Sequence, residues 1–405
     1  MKKIYETDGL QTSCEAVVTG SLQKDGKNYI TLDQSIFFPE GGGQGGDTGL
    51  IFPAPADGTP ADASCEAGGI RLLDAKERVK GVELDDVIYE VSAPLAAGTK
   101  VLCKLDATLR FSRMQQHGGE HILSGLIHKH FGFDNVSFHL SDTDPVTVCC
   151  SGALTPEDVR MLEKEANEVI AKNLPIVISF PTKEELGKLT YRSKIEIEGQ
   201  VRIVSIEGVD TCACCAPHFP STAYIGCLKI LTQTGYKNGG TQLGILCGLR
   251  AMETFAKEHE MITDLARSYT TSAEKLPGIL KSQTDELLSL REAHARMVED
   301  ALLSKIDEMD KDHVPVIFGK DLGVHAMKTA YNALTKKYDT FAGVFSGDDE
   351  TGYQFYAGNP KCDSRILANK MREHLDAKGG GNAEMIQGKC AKKEEEITLF
   401  FRDLS

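Results

Sequence analysis

This 405-residue chain lacks several things, and each absence removes a class of protein. No apolar run approaches the roughly 20 residues that a membrane helix needs, so no spanning segment is expected. The first residues, Met1-Lys-Lys-Ile-Tyr-Glu-Thr-Asp8, hold no apolar signal core, and a cytoplasmic location is expected. Positive charge is in deficit. A net charge of −14 argues against a general nucleic-acid binder, because neutralising phosphates takes clustered Lys and Arg; only a local basic track stays open. The glycine-rich stretch at 41–46 is not followed by Gly-Lys-Ser/Thr, so it is not a P-loop. The 12 cysteines are scattered and read as thiols and metal ligands, not as a disulfide framework.

What is present is a chain long enough for two to four domains, with 41% hydrophobic residues to build their cores. The texture changes along it, and the expected class is α+β multidomain. Residues 1–95 carry short alternating runs, such as Tyr29-Ile-Thr-Leu32 and Val87-Ile-Tyr-Glu-Val91, and read as a small β-barrel. Residues 96–250 read as an α+β domain. It includes a helix over Ala107–Phe131 with Asp106 as N-cap and Gly132 as terminator, and a hairpin turning at Lys237-Asn-Gly-Gly240. Residues 251–312 read as a helical hairpin or connector, with Leu287, Leu290, Met297, Leu302, Ile306 and Met309 as an apolar stripe. Residues 313–405 read as α/β, with a final strand at Ile397–Phe401 and a loop at Ala377–Asn382.

The chemistry concentrates in a few places. His117 and His121 stand four apart, which stacks two imidazoles on one helical face, one turn apart. Gly118 and Gly119 lie between them, and each costs roughly 1 kcal/mol of helix stability relative to alanine, so something must approach the helix there. His128 is two turns further, roughly 10 Å along the axis, and cannot share an ion with His121. Cys214-Cys-Ala-Pro-His218 offers a thiol and another imidazole at one-turn spacing, with Cys212 and Cys215 competing for the thiolate role. A His/His/Cys/His set suits zinc better than magnesium or calcium. Upstream, Phe37-Phe-Pro-Glu-Gly-Gly-Gly-Gln44-Gly-Gly-Asp-Thr-Gly49 packs five glycines into six residues, so bare amides can approach a carbonyl or phosphate. A rival reading takes His117-Gly-Gly-Glu120-His121 as the H-x-x-E-H zinc-peptidase pattern with Glu120 as base; that pattern needs a carboxylate third ligand and no Cys-xxx-His partner.

These motifs, in this order and with Ser221-Thr-Ala-Tyr-Ile-Gly226, resemble the editing half of alanyl-tRNA synthetases and the free-standing alanyl-tRNA editing proteins. The tail Gly379-Gly-Gly-Asn-Ala-Glu-Met-Ile-Gln-Gly388 is similar to the DHHA1 domain of the long form. The resemblance implies trans hydrolysis of mischarged tRNA(Ala), chiefly Ser-tRNA(Ala) and also Gly-tRNA(Ala). It implies Zn2+ held by His117, His121, Cys214 and His218. Glu120 or His139 is the candidate to position the water, and Gly42, Gly43, Gln44 and Cys215 are candidates to contact substrate. Lys378, Gly379, Gly380 and Gly381 are candidates to meet the tRNA backbone, and the connector or tail to form a homodimer. The alternative of another class is a non-catalytic tRNA-binding protein with a structural zinc. Two departures from the family pattern stand out. Gly118 replaces a common Thr, which removes a hydroxyl expected to help read serine, and Cys-Cys-Ala-Pro-His replaces Cys-Gly-Gly-Thr-His.

Overall fold

A computed structural model describes residues 1–55, 68–193 and 199–404. The chain divides into two compact units, Met1–Met261 and Ile262–Ser405.

The first unit starts with β1 (Lys2–Lys3), then β2 (Ser13–Lys24), β3 (Lys27–Leu32), β4 (Gln34–Ser35), β5 (Gly49–Pro53), β6 (Ile70–Lys76), β7 (Ile88–Val91) and β8 (Lys100–Leu105). Six of these close a barrel in the order β2-β3-β7-β6-β5-β8, while β1 pairs with β4 in parallel. Alternation along β2 and β8 sends Cys14, Ala16, Val18, Val101, Cys103 and Leu105 inward. The β-barrel expected from the sequence is therefore present, and its closing strand β8 lies beyond residue 95.

Helix α1 (Ala107–Phe131) follows at once. Asp106 caps it by accepting a hydrogen bond from Leu109 N at 3.0 Å, and Gly132, at φ 68°, ends it in the left-handed conformation. Then come β9 (Asn135–His139), β10 (Val146–Cys150), α2 (Pro156–Ala171), β11 (Ile176–Ser179), the single turn α3 (Lys183–Leu186), β12 (Ile203–Ile206), β13 (Asp210–Ala213), β14 (Leu228–Tyr236) and β15 (Gly240–Cys247). They form a four-stranded sheet, β14-β15-β10-β9, and a three-stranded sheet, β11-β12-β13. The hairpin between β14 and β15 turns at Asn238 and Gly239, both with positive φ, as the Lys237-Asn-Gly-Gly240 string demands. The apolar half of α1 (Ile122, Leu123, Leu126, Ile127) packs into one core with α2 and both sheets. That core fixes the helix that carries the histidine pair. From here α4 (Gly248–Ser268) runs across the unit boundary.

The second unit contains α5 (Leu276–Glu308), β16 (Val316–Gly319), α6 (Val324–Lys337), β17 (Ala342–Asp348), β18 (Gly352–Gly358), α7 (Ser364–His374), β19 (Lys378–Gly381), β20 (Ile386–Cys390) and α8 (Glu394–Arg402). Its five strands are ordered β16-β17-β18-β20-β19. Pro277 sits in the first turn of α5, where its missing N–H is harmless. Of the apolar stripe, Leu302 and Ile306 are buried in a core with α6, whereas Leu287, Leu290 and Met297 are exposed.

Two sequence expectations fail in this unit. Ile397–Phe401 is part of helix α8, not a strand. Ile397 and Phe401 are both fully buried, and their four-residue spacing is a helical period; Glu394, Glu395 and Glu396 crowd the first turn, where the helix dipole favours negative charge. The expected loop at 377–382 contains β19, which pairs antiparallel with β20. Its glycines permit the pairing to be close, since a Cβ on Gly379 or Gly381 would meet the backbone of β20.

Candidate functional site

Three distant segments of the first unit converge on one point. Helix α1 presents His117 and His121, whose rings stack at 5.2 Å with an interplanar angle of 23°. The turn after β13 brings Cys214 and His218, and the His218 ring stands nearly perpendicular to that of His121 at 4.8 Å. The ligand atoms of His117, His121, Cys214 and His218 all lie within 4.8 Å of one another. Cys214 Sγ is 3.5 Å from His117 Nε2 and 3.3 Å from His218 Nε2. All three histidines are buried. The four candidate ligands are thus brought together, and the cluster can hold a metal ion.

The far nitrogens of two of these rings are engaged. His117 Nδ1–H donates to Gln44 Oε1 at 3.0 Å, and His121 Nδ1–H donates to Asp210 Oδ2 at 2.8 Å. Each bond fixes the tautomer, so both Nε2 lone pairs face the cluster. Arg192 in turn grips both oxygens of Asp210, with Nε to Oδ1 and Nη2 to Oδ2 each at 2.8 Å. Burial raises the cost of charge on Asp210, yet His121 and Arg192 outweigh it and hold the carboxyl below its usual range. Burial likewise opposes ionisation of Cys214, but the imidazoles of His117 and His218 prevail and hold the thiol well below its usual value. For His218 burial wins, lowering it to about 4. Burial opposes charge on His121, but Asp210 and Cys214 prevail and hold it well above the usual imidazole value. The cluster therefore favours a thiolate at Cys214 and a neutral ring at His218, and ligation of a metal by His121 would release its proton.

Gln44 reaches His117 because of the glycine-rich segment. Gly41 and Gln44 exchange backbone hydrogen bonds at 3.0 Å around Gly42 (φ 59°) and Gly43 (φ 85°). This is the two-residue mirror-image turn that L side chains resist. Among the described residues, no hydrogen bond engages the amides of Gly42 and Gly43. Cys215 Sγ lies beside the turn, 3.5 Å from where a Gly42 Cβ would stand, and Phe138 lies beneath Gly43 and against the His117 ring at 5.3 Å. Two arginines of α1 clamp the segment. Arg110, fully buried, bonds Asp47 and Ile36 O; Arg113 pairs with Asp142 and donates to Gly45 O and Gly46 O. On the opposite side, Arg202 donates to Glu6 O, Cys214 O and Ala216 O and so holds the Cys214–His218 turn.

The other expected residues are placed as follows. Glu120 is buried and accepts hydrogen bonds from Ser124 Oγ at 2.8 Å and from Asn135 Nδ2, which turns it toward β9. His139 is exposed at the end of β9, opposite Thr147. Gly118 faces Ile225, 2.9 Å from where its Cβ would stand, so a hydroxyl there would point into the core and not into the site. A Cβ on Gly119 would collide with Cys247. The two helix glycines thus exist for close packing. Lys378, Gly379, Gly380 and Gly381 are exposed on the edge strand β19 of the second unit. Asp210, Arg192, Arg110 and Phe138 were not legible as site residues: each acts through a contact far away in sequence.

A cleft of about 860 Å³ lies on the Asp210 side of His121, lined by Asn135, Tyr191, Arg192, Asp210 and Cys212 among others. Among the described residues, no helix is long and apolar enough to cross a membrane.

Comparison with known proteins agrees with this geometry. Residues 201–243, which include Cys214 and His218, match the family described as the threonyl and alanyl tRNA synthetase second additional domain. The chain is 27% identical over 388 residues to the alanyl-tRNA editing protein Aarsd1-B of Xenopus laevis, covering 91% of this chain and 86% of that one. It is 26% identical over 410 residues to the alanyl-tRNA editing protein AlaX-L of Pyrococcus horikoshii, covering 98% and 96%. An alanine–tRNA ligase of Methanobrevibacter smithii is 23% identical over 430 residues, but the match spans only 45% of that longer protein. With the site built from three segments and the likeness running nearly end to end, the chain is similar over almost its whole length to alanyl-tRNA editing proteins.

Proposed function

We propose that this protein is an aminoacyl-tRNA deacylase that hydrolyses mischarged tRNA(Ala), chiefly Ser-tRNA(Ala) and also Gly-tRNA(Ala), at a zinc centre held by His117, His121, Cys214 and His218. The observation that carries the reading is the convergence of three imidazoles and a thiol under the Gly41–Gln44 turn. The spacing of the donors supports zinc. Bond lengths near 2.1 Å to nitrogen and 2.3 Å to sulfur place tetrahedral N···S edges at about 3.6 Å. The two Cys214–histidine separations are 3.5 and 3.3 Å.

When bound, zinc would polarise the ester carbonyl and lower the pKa of a nearby water. The protein's own groups do the rest. We assign the amides of Gly42 and Gly43, which no hydrogen bond engages among the described residues, to receive the carbonyl oxygen as negative charge develops on it. Gln44 holds His117, and Phe138 and Cys215 flank the Gly42–Gly43 turn, where we assign the amino-acid moiety. Of the two candidates for orienting water, Glu120 is buried on α1 but held by Ser124 and Asn135, and His139 is exposed at the end of β9, so the role would fall to Glu120 only if those bonds were exchanged for a water. The exposed edge of β19, with Lys378 and its three glycines, offers a backbone-approach surface for the tRNA, in keeping with a DHHA1-like role for the second unit. A peptidase reading of His117-Gly-Gly-Glu120-His121 is less well supported, because Cys214 and His218 complete the ligand set and Glu120 is committed to Ser124 and Asn135.

The deciding experiment compares Ser-tRNA(Ala) with Ala-tRNA(Ala), using wild type and His117→Ala. Rapid release of serine and sparing of alanine by wild type, with no release of either by the variant, is the expected outcome. Binding of tRNA without release of free amino acid would instead favour a non-catalytic tRNA-binding protein with a structural zinc.

A further inference from the structure

We propose that Arg192 is a positioning residue that sets the metal affinity of the centre through Asp210 and His121; the inference rests on the metal reading above. The chain of contacts is continuous. Arg192 Nε and Nη2 each reach a different oxygen of Asp210 at 2.8 Å, and Asp210 Oδ2 accepts from His121 Nδ1 at 2.8 Å. Arg192 is largely buried and Asp210 is buried. A carboxylate that accepts one bond from an imidazole can still swing about its Cγ axis. One gripped on both oxygens by a planar guanidinium cannot, and the fork geometry transmits a single orientation to the ring.

The same contacts exclude another use of these residues. Asp210, Cys212 and His121 also bring their ligand atoms within 4.8 Å of one another, as a second ion site would. Both oxygens of Asp210, however, are taken by the guanidinium, which already supplies the positive charge that a cation would bring. Arg192 thereby directs His121 to one centre and closes off the other.

The arginine is held independently of its side chain. Arg192 N donates to Thr211 O at 2.8 Å, and Ala213 N donates to Arg192 O at 2.9 Å, tying this residue to β13 whatever side chain it bears. Replacement therefore removes the grip and leaves the backbone pairing.

The test measures zinc affinity by chelator competition, and the cobalt spectrum of the substituted protein, for wild type, Arg192→Gln, Arg192→Lys and Asp210→Ala. Loss of such an outer partner typically weakens metal binding about 10- to 100-fold. Arg192→Gln is expected to fall in that range while keeping the thiolate-to-cobalt band of Cys214. Arg192→Lys, with one donor in place of a fork, should lie between Arg192→Gln and wild type. Asp210→Ala should lose at least as much as Arg192→Gln. Affinity of Arg192→Gln within twofold of wild type would overturn this inference and leave the proposed function standing. So would a loss fully accounted for by a lower melting temperature of the metal-free protein. If wild type itself binds no zinc, the metal reading fails together with this one.

Discussion

Asp47→Ala is the substitution with the most calculable consequence. Asp47 is 1% exposed and faces Arg110, which is fully buried on α1. The carboxylate receives Phe38 N at 2.6 Å and Arg110 Nε at 3.0 and 3.1 Å, and Arg110 Nη2 besides. Alanine orphans one amide and half a guanidinium, while Ile36 O and Gly9 O keep the arginine from leaving. Removing one partner of a buried pair costs about 3–5 kcal/mol. For a unit of this size each kcal/mol moves the melting temperature by roughly 2–4 °C, so the first unit should melt roughly 6–20 °C lower. The chain has no tryptophan, so calorimetry or circular dichroism is the suitable probe. The double variant Asp47→Leu, Arg110→Met should regain most of the loss, because it leaves no unpaired charge. A single variant that melts within 2 °C of wild type, or a double variant worse than the sum of its singles, would refute the reasoning.

Gly43→Ala should lose about 1–2 kcal/mol from the positive φ alone, and the new methyl meets Phe138 Cδ1 at 2.9 Å; deacylation of Ser-tRNA(Ala) should fall while circular dichroism stays native. The Arg113 guanidinium holds Asp142 below its ordinary value of 3.8. The pair therefore contributes fully above that value, and its contribution fades as pH falls through the lower folded value; Arg113→Met should flatten this acid limb in melts between about pH 5 and 2. Phe401→Ala should destabilise the second unit by about 3–5 kcal/mol, since the ring is fully buried against Phe345; an unchanged melt would contradict the packing of α8.

Local signals explain what could be read in advance. Helix α1 has both its ends written in the chain, with Asp106 capping and Gly132 terminating, and the histidine pair follows from four-residue spacing. The warning given by Gly118 and Gly119 was sound in kind, but the visitors are Ile225 and Cys247, not substrate. Other features had no local trace. Asp47 meets Arg110 across 63 positions, Gln44 meets His117 across 73, and His121 meets Asp210 across 89. Helix α8 was misread because the five residues Ile397-Thr-Leu-Phe-Phe401 are a short run rich in β-branched and aromatic side chains, as a strand would be; the deciding contacts are those of the two buried positions one turn apart.

The dispersal of the centre along the chain also matters during synthesis. His117 leaves the ribosome 97 positions before Cys214. At 5–20 residues per second, that gap lasts roughly 5–20 s. Throughout it the helix that carries the imidazole pair waits for the segment that carries the other two members of the cluster. The four side chains can therefore assemble only after translation has passed β13, so this part of the first unit is completed late although its histidine helix is made early.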